Sequence, residues 1–361
     1  MRHDPGPHPL VWTGDLTYWR SAMAARGDLE HRYDGVGGLL RLQLDLGMFP
    51  YFQYDAFWPF EVRYPEVVVE SEAVEGVTRT VWRTPKGALA GQTRYCPESF
   101  STAQTRYPIR GQDDLDTLCF ILERQTYLPR LDHYHAIAAR WGEEGYPSIG
   151  LPRSPMSSLM VEWAGTVNAA YLVADAPRRV ADVLTLMERN IWRVIEAVIE
   201  ARIPVVHFGD NLSSETATSL FDRFMKPYYL RALDRLHSGG VRAAVHLDGT
   251  VRGLLPKLSG VGFDAVESLT PAPVGDVRPD EMRALAGRGD LVLWGGVPGA
   301  AFSRSFPQKR FVALLEEVLG AWQGGPFILG TADQVPPDGD IERCRIVSEI
   351  VSARQAGVGR S

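Results

Sequence analysis

The chain has 361 residues, of which 45% are hydrophobic and 23% charged, and a formal net charge of −6. Those proportions fit a globular fold, and the acidic balance excludes a generic nucleic-acid binder, which needs a basic footprint. No apolar run approaches the roughly 18–20 residues of a membrane span.

The opening MRHDPGPHPLVW lacks an apolar leader core. Cys96, Cys119 and Cys344 are widely separated, which suits a reducing compartment, so a cytoplasmic protein is expected. Residues 1–145 are irregular in pattern. WTGDLTYW (12–19) and MFPYFQYDAFWPF (48–60) gather aromatic residues around Asp15 and Asp55. Such a stretch can wall a site for a planar ligand, with Tyr54 and Asp55 as substrate contacts. Residues 67–82 alternate as a β-ribbon, with TPKG (84–87) as its turn, and GQDDLDTLCFIL opens a helix near Asp113 or Asp114.

From residue 146 to 355 the pattern becomes regular. Short apolar runs at 204–208, 243–247, 265–269, 291–294 and 327–329 alternate with helical spacing over 178–202, 216–238, 251–258, 280–286, 308–322 and 341–353. Strands alternating with helices predict parallel βαβ units. The length accommodates an eight-unit α/β barrel of about 250 residues with an N-terminal extension and an inserted β-ribbon. We therefore expect one domain over 1–361, with 356–361 as a tail.

The strand tips carry the chemistry. VRAAVHLDGT (241–250) ends in His246 and Asp248, one pleat apart on the same face. Two buried polar groups need a partner, which can be a metal, a proton relay or a substrate. Glu267 and Asp333, at later tips, face the same end of a barrel and complete a candidate metal set of His246, Asp248, Glu267 and Asp333. Zinc accepts this donor chemistry and leaves a position open to act as a Lewis acid. A metal-free polar site and a purely structural role stand beside that reading.

Asp210 and Asn211 end VVHFGDN. Because Ser213 and Ser214 can cap the following helix, Asp210 is free for a catalytic role and Asn211 for substrate contact. His207 suits either a core or a mouth position. Gly295 and Gly296 let backbone approach a ligand, or else only turn the chain. Gly-x-Gly-x-x-Gly and Walker patterns are both missing, so no nucleotide cofactor is indicated.

Taken together, these segments resemble the uroporphyrinogen decarboxylase superfamily, which includes the decarboxylases of haem synthesis and zinc-dependent, corrinoid-linked methyltransferases. The resemblance lies in the acidic tip GDNLSSETATSLFDRFMKPYYL, in HLDGT followed by LLPKLSGVGFDAVE, in LVLWGGVPG and in FILGTADQVPPDGDIE. TPKGALAG and YPIRGQDDLDTL match more loosely, and Glu162 in LMVEWAG matches an acidic position. The resemblance implies a TIM barrel with its site at the C-terminal mouth, zinc, a corrinoid protein partner and a homodimer. The decarboxylases' arginine motif is absent from WTGDLTYWRSAMAARG. Asp248 stands where the methyltransferases carry their first cysteine, and Ala332 lies near their later one. The expected activity is metal-assisted methyl transfer or demethylation of a small, aromatic substrate. The alternatives are a cofactor-free decarboxylase or carbon–carbon lyase, with His246 donating a proton, and a non-catalytic binding barrel.

Overall fold

The computed structural model describes residues 10–35, 37–51 and 57–358. Its strands are β1 (Trp12–Asp15), β2 (Phe60–Arg63), β3 (Val68–Val74), β4 (Val77–Thr84), β5 (Gly87–Cys96), β6 (Ser101–Arg106) and β7 (Thr126–Pro129) in the first part. The second part holds β8 (Ile149–Leu151), β9 (Val205–Leu212), β10 (Arg242–Leu247), β11 (Ala265–Leu269), β12 (Val292–Pro298) and β13 (Phe327–Gln334).

Seven strands form one parallel sheet in the order β1-β13-β12-β11-β10-β9-β8. The sheet curls, so that Ala244, Ala265 and Trp294 from its middle meet Tyr51 in a small interior cluster. Its outer face carries the main core, where Val206, Phe208, Val245, Val266 and Leu293 pack beneath helices. The longest helix, Pro177–Glu200, starts with proline at its first turn, where the missing N–H costs nothing, and buries Val180, Val183, Met187, Ile191, Val194 and Val198 at helical spacing.

The expected eighth strand takes an unusual form. β1 and β8 are the sheet's edges and are not bonded to each other. Residues 49–51 lie between them. The Phe49 N–H donates to Trp12 O at 2.8 Å, and Pro50 O and Tyr51 O accept from the N–H groups of Tyr146 and Ser148 at 2.9 and 2.7 Å. An irregular stave thus closes the ring.

The inserted ribbon is larger than the alternation at 67–82 suggests. That stretch is two strands, β3 and β4, joined at Glu75-Gly76 with φ of 49° and 76°. Two positive φ values in a two-residue loop mark the hairpin turn that matches strand twist. TPKG does turn β4 into β5, and β6 completes a four-stranded antiparallel sheet. One face of this sheet buries Val81 and Leu89 against the helix Leu115–Arg124. The helix expected over 216–238 contains a π-helical turn, Phe221–Met225, between Ser214–Leu220 and Lys226–Ser238. No helix among the described residues is long and apolar enough to cross a membrane.

Candidate active site

Strand alternation decides which tips reach the interior. On β9, His207, Gly209 and Asn211 share the inward face, while Phe208 and Asp210 point out toward the helices. On β10, Ala244 and His246 point inward, and on β11 Ala265 and Glu267 do the same. With Asp15 from β1 and Asp333 from β13, the tip residues His207, Gly209, Asn211, His246 and Glu267 line a cavity of about 260 Å³ at the C-terminal ends of the strands. Tyr51, Trp58 and Arg153 form part of its wall.

His246 is held between two carboxylates. Its Nδ1 hydrogen-bonds Glu267 Oε2, and its Nε2 lies 3.5 Å from Asp248 Oδ1. Burial opposes charge on this imidazole, but the Glu267 carboxylate, with Asp248 beside it, outweighs burial and holds it protonated well above the usual histidine range. Tyr51 donates to Glu267 Oε1 at 3.2 Å. Burial, and then the charge of Glu267, keep the Tyr51 phenol neutral, so it remains a donor. On the other side Asn211 Nδ2 donates to Asp248 Oδ2 at 2.6 Å, and Arg153 Nη1 donates to Asn211 Oδ1 at 2.7 Å. One chain of polar contacts therefore runs from Tyr51 to Arg153 through His246.

Asp15, Asp333 and His207 are shifted toward neutrality. Burial raises Asp15 to about 6, aided by the charges of Asp333 and Glu267 and opposed by two hydrogen bonds from Thr17. Burial also raises Asp333, with Asp248 and Glu267 adding to the rise and His246 opposing it. His207, 3% exposed, is pushed down to about 4 by burial. Its Nε2 is buried without a hydrogen-bond partner among the described residues, beside the rings of Tyr51, Phe57 and Trp294. A neutral imidazole with an unused nitrogen is thus presented to whatever fills the cavity.

The expected residues divide. His207, Asn211, His246, Glu267 and Asp333 line the cavity, and Asp248 touches it through His246. Asp210 does not line it. It is 0% exposed and accepts from Tyr229 Oη at 2.6 Å and from the Ser154 N–H at 2.7 Å, so it ties β9 to the turn after β8. Its position on the same face as Phe208 is the reason. Gly295 and Gly296 lie within β12 rather than in a loop beyond it, at φ of 130° and 97°. A Cβ on Gly295 would meet the Leu269 backbone at 2.7 Å, and one on Gly296 would meet Val318, so both positions answer to packing. Glu162 sits in a π-helical turn, 3.5 Å from Arg153 Nε. Tyr54 and Asp55 fall outside the described residues.

The four-residue metal set is not assembled. Among the described residues no group of three or more His, Cys, Asp or Glu side chains is placed to hold a metal ion. The two nitrogens of His246 both meet carboxylates, so neither is turned toward an open position where a metal would sit. Sequence reasoning passed over Tyr51 and Arg153. Arg153 had a signal, since it follows the short run IGL as the other tips follow theirs. Tyr51 had none, because its stave has no strand pattern.

Residues 101–354 match the family described as uroporphyrinogen decarboxylase (URO-D). The chain belongs to the uroporphyrinogen decarboxylase family. As a URO-D chain it shares its fold with a methyltransferase from Methanosarcina mazei, at 13% identity and a TM-score of 0.59, with 96% of this chain and 94% of that one covered. It is also similar to a B12-independent methionine synthase from Shewanella sp. W3-18-1 in complex with selenomethionine, at 12% identity and a TM-score of 0.47, with 92% and 91% covered. No curated protein matches the sequence.

Proposed function

We propose that this URO-D chain is an enzyme that removes a methyl group from an oxygen of a small substrate in the barrel-mouth cavity. The observation that carries the reading is His246 held between Glu267 and Asp248 in the wall of the cavity, a geometry that favours its protonated form. A reduced corrinoid on a partner protein would supply the electron-rich methyl acceptor, and the methyl group would leave the oxygen without its bonding electrons. The oxygen keeps the electron pair and takes a proton from His246 Nε2, which is only loosely engaged by Asp248. A leaving hydroxyl replaces an alkoxide or phenolate, and general-acid help of this kind contributes about 10²–10⁴-fold. Asp248, the more solvent-exposed of the two carboxylates, passes the replacement proton from solvent.

Three groups support that step without reacting. Tyr51 and Glu267 fix the plane of the imidazole, and Glu267 balances its charge. His207 offers a hydrogen bond to the substrate. Asn211 and Arg153 hold Asp248 in place.

The charge of the cavity favours methyl transfer over decarboxylation. Asp15, Glu267 and Asp333 face only Arg153 and His246 among the cavity-lining residues. A substrate carboxylate needs cationic partners, and this wall opposes one. Zinc is the group that the fold family implies. The residues present do not fit it as arranged, for the reason given above, and no step is assigned to it.

The test is formation of methylcob(III)alamin from cob(I)alamin, followed by absorbance, with methoxylated small molecules as donors. Wild-type protein should form it, and His246→Gln should lose about 10²–10⁴ of the rate. Carbon dioxide release from carboxylated analogues, with no methyl transfer from any donor, would overturn the reading.

A further inference from the structure

A second and larger cavity, about 500 Å³, lies between the four-stranded sheet and the barrel rim. Its floor comes from one face of β4, where Thr78, Thr80 and Trp82 alternate with residues directed the other way, such as the buried Val81. The flat faces come from separate elements: Trp82 on β4, Trp163 in the π-helical turn Leu159–Trp163, Tyr127 on β7, and Trp58 just before β2. The Trp82 and Trp163 rings lie 5.4 Å apart at 50°. The lining also carries neutral amides, Gln92, Gln104 and Gln125.

Three features define the occupant. Among the described residues, the charged side chains lining the groove are Arg153 and Glu162, and they pair with each other, so the occupant is uncharged. Aromatic faces from several elements suit a planar ring system, and amides and hydroxyls serve donors and acceptors on its edge. Trp82 Nε1, a donor only, is buried with no hydrogen-bond partner among the described residues and calls for an acceptor. A sugar would ask more of the groove, since its many hydroxyls favour carboxylate partners and the one acid here is already engaged.

The groove is not separate from the active site, because Trp58 and Arg153 line both cavities. We propose that the groove binds an uncharged, bicyclic heteroaromatic body carrying a ring nitrogen or carbonyl acceptor, and that the methylated end of the same molecule passes Trp58 and Arg153 to reach His246. The placement of the reactive end rests on the methyl-transfer reading, whereas binding of the ring does not.

The probe is quinolin-2-one, a neutral planar bicycle with one N–H and one carbonyl, titrated into protein carrying ¹⁵N-labelled tryptophan. The chain has nine tryptophans, and each indole N–H gives a separate reporter. Saturable shifts of the Trp82 and Trp163 signals are expected in wild type and equally in His246→Gln. Thr80→Phe, which fills the groove from its floor, should weaken binding at least about tenfold. Gln92→Leu, which keeps the volume and removes an amide, should weaken it less. Absence of a saturable shift, or equal affinity in Thr80→Phe, overturns the groove. Groove binding that survives while corrinoid methylation fails sinks the mechanism alone.

Discussion

Tyr51 and Glu267 come from different staves of the barrel and meet inside it, the phenol donating to Oε1 at 3.2 Å while Oε2 of the same carboxylate engages His246. One buried carboxylate thus serves two partners. Tyr51→Phe should cost about 1 kcal/mol and Glu267→Gln about 1–3 kcal/mol of stability. Because the two act on one network, the double variant should depart from additivity by about 0.5–3 kcal/mol. Denaturant unfolding of the four proteins measures this, and strict additivity would show that the contact is not energetically coupled.

Asp15 and His207 impose opposite pH dependences. Asp15 rises to about 6 in the fold, so its contribution is complete below its unfolded pKa near 3.8 and fades as pH rises through 6. His207 falls to about 4, so its contribution is complete above 6.5 and fades as pH drops toward 4. Each swing is bounded near 3 kcal/mol, and in the wild type the two largely offset each other between pH 4 and 6.5. Asp15→Asn should leave a protein whose melting temperature falls as pH drops across that window. His207→Phe should leave one whose melting temperature rises. Parallel melting curves for all three proteins would refute the assignment.

Asp210 supports the fold. Asp210→Ala strands the Ser154 N–H inside the protein and leaves the Tyr229 hydroxyl with Ser154 Oγ alone, at a cost of about 1–3 kcal/mol. Binding of a cavity ligand by the surviving folded protein should change little. A loss of turnover without loss of stability would return Asp210 to the chemistry.

Zinc should not co-purify with the chain in stoichiometric amount. Elemental analysis after incubation with zinc and desalting should find well under one equivalent, and chelator should not move the melting temperature. Stoichiometric zinc lost in His246→Ala would mean that Glu267 and Asp248 rearrange around a metal.

The sequence shows the C-terminal half clearly because buried parallel strands are continuous apolar runs between amphipathic helices. The strand 265–269 and the helix 308–322 match the structure to the residue. β9, β12 and β13 run on past the continuous apolar runs at 204–208, 291–294 and 327–329 into GDNL, GGVP and GTADQ, since backbone pairing does not require apolar side chains. For that reason Gly295 and Gly296 looked like a loop. His246 is legible from alternation and Glu267 from its place at a strand tip, whereas His207 suits core or mouth equally; alternation applied from Phe208 would have turned Asp210 outward. The exposed strand β3 has no burial pattern to read, and no periodicity could reveal a three-residue irregular stave at 49–51.

That stave also makes the ring uneven. Elsewhere successive strands are laced by ladders, but here the circle is joined through Phe49, Tyr146 and Ser148. Few bonds make a local opening cheap, and Tyr51 is mounted on the segment that would move. Parting at this seam would carry the phenol off Glu267 while every ladder stayed intact. Amide exchange at these three residues is therefore a gauge of how firmly the proton donor is held.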